Sequence, residues 1–500
     1  MSATGDERSF PDPYSIETPP GAEGWEDLYA YHNLFLENRR EEDERKTWFR
    51  NSLHYPEVSY PFDQIMIDGA FTGTGVTNTR VFSLPPAKGL DVRIVNGYTY
   101  MSALPAPTGE ELERRAAEFG PRAGHYFANW NDLYADWEDR VKKRIADVRA
   151  TEVAALTEFE PLDYVLTEHG DTQGNRLLSS YNKLIEAGDS IWTLHSEFLN
   201  LGYAAYLQFM LLCRGHFPEI QDQTISRMVS GIDVLLFRPD EELRGLARKA
   251  EELGVSDVVL AARSEDDLIA GLSGSETGRE WLGALDTAKD PWFNFSNGSG
   301  MYHSHGSWID DMSMPIQGIG DYIGRLRAGD DLVRDVVGVQ ADRDQTTAHY
   351  RDLLDEEDQA GFDEALGLAR TVFPYVENHN FYIEHWFLTS FWNKVREFGR
   401  RFAEWGFWDD ENDIFFLRRA EVVEAVFDLQ MAWGAGGKPQ GPHHWPKIIA
   451  RRKKIYDALS EWSPPPALGP APEDVSEPLT IMLWGITPET VGRWLAAQSG

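Results

Sequence analysis

The densest group of chemically capable side chains is the stretch Phe293-Asn-Phe-Ser-Asn-Gly-Ser-Gly300-Met-Tyr302-His303-Ser-His305-Gly-Ser307-Trp308-Ile-Asp310-Asp311. It sets two imidazoles and two carboxylates among aromatic rings and flexible glycines. An unperturbed imidazole titrates near about pH 6.5, so it can take a proton from a hydroxyl at neutral pH. His303 and His305 are therefore candidate bases, with Asp310 as an orienting carboxylate. Tyr302, Trp308 and Asp311 are candidate substrate contacts. Loops set on rigid scaffolds often carry function. The same residues also suit a polar loop in which Ser307 or Asp310 caps the next helix. A His-x-His metal pair is a third reading, but it has no defined third ligand, and no metal ligand is assigned.

A second constellation, Glu377-Asn-His379-Asn380-Phe381-Tyr-Ile-Glu384-His385, carries a helical pattern. Helical spacing puts Asn380 and Glu384 on one side, with Phe381 and His385 beside them. Glu377 and Glu384 are seven apart and face similarly, while the spacing does not fix the face of His379. Glu377 and His379 join the catalytic candidates, and Phe381, Glu384 and His385 the substrate-binding ones. A solvated amphipathic helix is the plainer alternative. Both constellations interrupt apolar patterns, and buried polar groups need one another, so His303 and His305 are expected to share one pocket with Glu377 or His379. The aromatic stripe from Phe381 to Trp392 is mostly core, with a subset free to wall a pocket for an aromatic ligand.

Basic residues cluster at Arg400-Arg401, Arg418-Arg419, and Lys447 with Arg451-Arg452-Lys453-Lys454. Bidentate guanidiniums suit phosphoryl oxygens, which adds Arg400 and Arg401 to the substrate-binding candidates. The same clusters suit helix C-termini or the docking of an incoming domain.

These residues must be positioned by a large fold. The chain has 500 residues, 42% of them hydrophobic, enough for one large core or two to three domains. Lys and Arg number 47 against 82 Asp and Glu, a formal charge of −35. That balance argues against nucleic acid and against an anionic membrane surface as partners. One cysteine, Cys213, excludes an internal disulfide framework and a cysteine-based zinc site. The start has no basic region followed by an apolar run, which predicts a cytoplasmic protein. Ile191 to Cys213 mimics a membrane span, but His195, Glu197, Asn200 and Gln208 make it a buried core helix.

The predicted fold class is mainly α, a large helical domain with a small antiparallel β-sheet near the N-terminus. Residues 1–61 read as an extended leader followed by a helix from Trp25 through Glu44. Residues 62–104 read as a small β-subdomain, with strands at Ile65-Met-Ile, Val81-Phe-Ser-Leu and Val92-Arg-Ile-Val, Thr72-Gly-Thr-Gly as a break and Asn96-Gly97 as a hairpin turn. Residues 105–462 form the helical domain, with separate helices over Asn175–Ile185 and Ile191–Cys213. Residues 463–500 are a proline-rich linker, then a strand and helix start from Leu479 that open a further element.

The order of motifs in the last quarter carries a resemblance. Phe381-Tyr382-Ile383 lies on a long helix, followed by Glu397-Phe-Gly-Arg400-Arg401-Phe-Ala-Glu-Trp-Gly-Phe and Asp409-Asp-Glu-Asn-Asp413-Ile-Phe-Phe416-Leu. A helix opening Arg419-Ala-Glu421, the Arg451-Arg452-Lys453 helix and a Pro-Pro-Pro linker complete it. This order resembles the helical region of phosphoenolpyruvate-synthase-like, PEP-utilising enzymes, which include rifampicin phosphotransferase and phenylphosphate synthase. The sheet with Val95-Asn-Gly-Tyr98-Thr-Tyr100 resembles the entry to that region.

The resemblance implies a transferase, an ATP-dependent, phosphohistidine-mediated kinase of small hydroxylated, phenolic compounds in aromatic metabolism. In that family the linker leads to a phosphohistidine domain bearing a T-x-G-G-x-x-S-H-type motif. The chain ends at Gly500, where that domain is expected to begin, and it carries no Walker loop and no recognisable ATP-grasp region. The implied role is the acceptor-binding part of a multi-subunit complex, inactive alone. ATP and Mg²⁺ then sit on partners, an ATP-grasp subunit and a phosphohistidine-domain subunit. The alternatives are a non-catalytic scaffold of such a complex and an independent metal-dependent helical enzyme using the His-x-His loop.

Overall fold

Apolar residues recurring at three- and four-residue spacing dominate the chain, and helices are what they build. The computed structural model describes residues 9–85, 87–167, 170–472, 475, 480–481 and 484–498. Among them the fold is mainly α with one small antiparallel sheet, as the sequence predicts.

The sheet runs β2-β3-β1-β4, with β1 at Trp48–Arg50, β2 at Leu90–Val95, β3 at Tyr98–Ala103 and β4 at Ala467–Leu468. The Asn96-Gly97 hairpin is real. Val95 pairs with Tyr98, and both turn residues have positive φ, 48° and 81°, as a two-residue type I′ turn needs. Two expected strands are not there. Ile65-Met-Ile lies in a helix, Gln64–Val76, and residues 81–84 leave a π turn as irregular chain. Ile65-Met-Ile is a short apolar run buried all round, which reads alike as strand or helix. The expected break at Thr72-Gly-Thr-Gly is likewise helical. A methyl at Gly69 or Gly73 would strike Trp192, so these glycines let two helices touch.

The other strands come from outside residues 62–104. Trp48 pairs with Leu468 and Phe49 with Ala467, which brings the two ends of the chain into one sheet. The start of the proline-rich stretch is therefore docked rather than free. The Tyr100 hydroxyl donates to the Pro465 carbonyl at 2.8 Å, and Arg50 N–H donates to the Pro466 carbonyl at 3.0 Å. Beyond it, Thr480, Ile481 and Trp484 are helical where a strand was expected, and a helix follows at Pro488–Gln498. Leu479, Met482 and Leu483 of that expected strand, and residues 1–8 of the expected leader, lie outside the described residues.

The predicted Trp25–Glu44 helix is a chain of short turns, Trp25–Leu28, Tyr31–Asn33, Glu37–Arg39 and Arg40–Asp43. Tertiary bonds win over propensity here. Ala30 N–H donates to Gln64 Oε1, and Asn33 Nδ2 donates to Asp68 Oδ1.

The core is organised by two long helices. The central helix, Gln173–His216, is one element of 44 residues where two were expected. It packs against Gln64–Val76 and against the second long helix. Ile191, Trp192, Phe198, Leu201 and Phe209 are buried in it, which fits the core-helix reading. Among the described residues no helix is long and apolar enough to cross a membrane. The second long helix runs Glu356–His379, passes through a π-helical segment, Asn380–Phe387, and continues as Leu388–Glu404. Most of its aromatic stripe (Phe381, Tyr382, Phe387, Phe391, Trp392) is buried in the main core. A separate apolar core around Trp281 is built by Arg238–Glu252, Ser256–Ala261, Glu265–Leu272, Glu276–Lys289 and Ser313–Arg327.

Candidate functional site

The π segment explains how the site forms. His379 and Glu384 are five residues apart, which is about 140° around an α-helix at 3.6 residues per turn. Wider i→i+5 winding closes that angle to roughly 50°. Both side chains therefore reach the same cavity, of about 330 Å³. Its apolar walls are Tyr55, Phe71, Trp192, Leu199, Tyr203 and Met301, and its polar end holds His195, His379 and Glu384 beside His54 and Asn380.

His195 comes from the central helix, one turn after Trp192. Its Nε2 lies 3.1 Å from Glu384 Oε1, and its ring centroid lies 4.6 Å from that of His379. His379 Nδ1 is 3.2 Å from the Tyr375 carbonyl, a bond only an Nδ1–H can donate, which leaves Nε2 as its free acceptor. Tyr375 also donates its hydroxyl to the His195 carbonyl at 3.0 Å, tying the two helices behind the site. Burial lowers both imidazoles to about 3, so they are neutral at pH 7. Burial also raises Glu384, against the pull of His379 and His54. Two neutral imidazoles and a carboxyl clustered in the wall of an aromatic cavity can bind a hydroxyl group and move its proton. They can also supply three ligands to a metal ion.

The loop of the first constellation folds back on itself through a Ser296–Ser307 bridge. It packs against the π segment and the helix that continues it: Ser296 N–H donates to His385 Nδ1 at 3.1 Å, and Trp392 Nε1 donates to the Gly300 carbonyl at 2.9 Å. The two segments touch, but of the described loop residues Met301 alone lines the cavity that holds His379 and Glu384, so the expected pocket joining His303 and His305 with Glu377 or His379 is not formed. Neither His303 nor His305 is among the described residues lining the cavity. His303 Nδ1 is instead 2.9 Å from the buried Asp63, with its ring stacked 3.6 Å from Phe415. His305 Nε2 lies 3.7 Å from Glu57.

The remaining candidates scatter. Tyr302 is buried and donates its hydroxyl to the Glu57 carbonyl. Asp310 accepts from Ser307 and Asn393, and Asp311 accepts from Ser313 N–H at the start of the next helix. Trp308 packs on Phe293 and Phe295, and Phe381 on Trp292. His385 stacks at 3.9 Å on Phe295. Glu377 is half-buried, raised by burial, and does not line the cavity. Arg400 and Arg401 pair with Glu411 and Glu404 away from the site. Of the candidates, His379 and Glu384 stand in the cavity. His195 and His54 are the members that motif reading missed. The signal for His195 was a histidine in a long apolar helix, which had to find a buried partner.

No protein-family model matches the chain. Over 461 residues, 89% of its length, the chain is 21% identical to Chondramide synthase cmdD of Chondromyces crocatus. The aligned part is 11% of that protein, so the chain spans about a tenth of the length of this curated relative.

Proposed function

We propose that the chain is the acceptor-binding part of an ATP-dependent, phosphohistidine-mediated phosphotransferase acting on a small hydroxylated aromatic compound. The observation that carries this reading is the cavity itself: aromatic walls around a space fit for a small ligand, with polar groups gathered at one end. The ring of the acceptor lies among Tyr55, Phe71 and Trp192, and its hydroxyl meets His195, His379 and Glu384. In the reaction the P–N bond of a partner's phosphohistidine breaks as the acceptor's O–P bond forms. The hydroxyl proton leaves at the polar end, and the departing imidazole regains one. The partners' ATP and Mg²⁺ recharge the carrier. A stretch similar to this chain within a much longer synthase fits a part that works beside others. The cavity also favours this reading over a non-catalytic scaffold, which has no use for a buried polar cluster lining a cavity.

The test combines the chain with an ATP-grasp subunit, a phosphohistidine-domain subunit, ATP, Mg²⁺ and a panel of phenols. An acceptor phosphate that requires the chain is expected. Active partners that give no product with any phenol would overturn the reading.

A further inference from the structure

We infer that His195, His379 and Glu384 form a binding site for one divalent transition-metal ion, open toward the aromatic cavity. The inference deepens the acceptor reading and rests on it for its chemical purpose. One ligand atom from each residue lies within 4.8 Å of the others. A tetrahedral set at metal distances of about 2.0–2.2 Å needs roughly 3.4 Å between ligands, so side-chain rotations closing by at most about 1.4 Å suffice.

The surroundings are those of a metal site as well. The Tyr375 carbonyl accepts from His379 Nδ1 and so turns Nε2 outward, the outer bond that orients metal-bound histidines. Three protein ligands with a fourth position facing a ligand cavity is the pattern of catalytic rather than structural sites. Two imidazoles and a carboxylate suit zinc, iron or cobalt better than magnesium or calcium, which prefer all-oxygen shells. Charge balance favours the arrangement too. A 2+ ion with an ionised Glu384 and an acceptor oxyanion is neutral, which offsets much of the cost of burying each charge. An acceptor hydroxyl bound to the ion loses its proton more readily, as metal-bound water does.

The experiment uses the full chain, stripped with a chelator. Zn²⁺ uptake is measured by calorimetry and Co²⁺ uptake by visible absorption. One ion per chain is expected, with a micromolar or tighter dissociation constant. His379→Ala and the nearly isosteric Glu384→Gln are each expected to weaken uptake at least tenfold, with circular dichroism melts confirming that both fold. Exposed His444→Ala serves as the control and is expected to change nothing. Absent saturable one-to-one uptake, or uptake indifferent to both substitutions, would overturn the inference. Phenol binding to both the metal-free and the Zn²⁺-loaded chain is measured in parallel. Phenol bound without metal uptake ends the metal inference and leaves the acceptor reading standing. Metal uptake without binding of any phenol does the reverse.

Discussion

A buried carboxylate decides what His303 does. Asp63 is 2% exposed, and the His303 backbone N–H and imidazole both reach it. Removing the imidazole leaves that carboxylate without its main partner, so His303→Ala is expected to cost about 3 kcal/mol of stability, read in urea melts. Its activity per folded molecule should hold, since the side chain does not enter the cavity. His379 is the opposite case. His379→Ala is expected to lower partner-dependent acceptor phosphorylation about 100-fold or more, the scale of a lost proton-transfer group or metal ligand. A fully active His379→Ala, or an inactive but stable His303→Ala, would return the chemistry to the loop. The distinction was not visible in residue types alone. Both histidines sit among polar and aromatic neighbours, and only the chain's path shows which one finds a carboxylate outside the cavity.

At the scale of elements, the loop's grip on the π segment holds the cavity's shape. Gly300 has φ +75°, and a methyl there would overlap the Glu384 carbonyl. Gly300→Ala is therefore expected to cost about 2 kcal/mol from strain and to weaken phenol binding, measured by calorimetry. The helix Gly441–Ser460 is fastened differently. Arg452 donates to both oxygens of Glu421 at 2.7 and 2.8 Å, on the neighbouring helix Arg419–Ala435. Burial alone would raise the Glu421 carboxyl, but the bonds and charge of Arg452, with the Arg418 backbone, hold it below the usual carboxylate range. The depressed folded value means that this pair stabilises above the unfolded pKa of about 4.3, and that the gain fades as pH falls through the folded value. Glu421→Gln should lower the melting temperature at pH 7, and the gap from wild type should shrink in acid. Element types and the hairpin were legible because helical periodicity and Asn-Gly turns are local signals. The pairing of His379 with Glu384 was not, because an assumed 3.6-residue turn sets them far apart. Only the wider π turn joins them.

The whole molecule carries a charge of −35, so any cationic face is a marked exception. Lys447, Arg451 and Lys454, spaced four and three apart, are all exposed on the Gly441–Ser460 helix, while Arg452 between them is buried against Glu421. Arg452 thus holds the fold, and the three exposed cations are the ones free to meet a partner; Arg451 keeps only a loose 3.6 Å pairing with Asp27. Under the proposed function a phosphohistidine carrier must visit the acceptor cavity and leave again. Reversible docking of that kind is best served by exposed charge, which speeds encounter without locking the complex. The joint substitution Lys447→Glu, Arg451→Glu and Lys454→Glu is expected to slow partner-dependent phosphorylation several-fold at low salt. The defect should fade as ionic strength shortens the screening length to about 8 Å near 0.15 M. Phenol binding to the isolated chain should not change, because none of the three lines the cavity. Arg452→Glu serves as the contrast: it should lower the melting temperature at every salt concentration, since it sets two carboxylates against each other in a buried site. A triple variant as fast as wild type at low salt would place the docking surface elsewhere on the molecule.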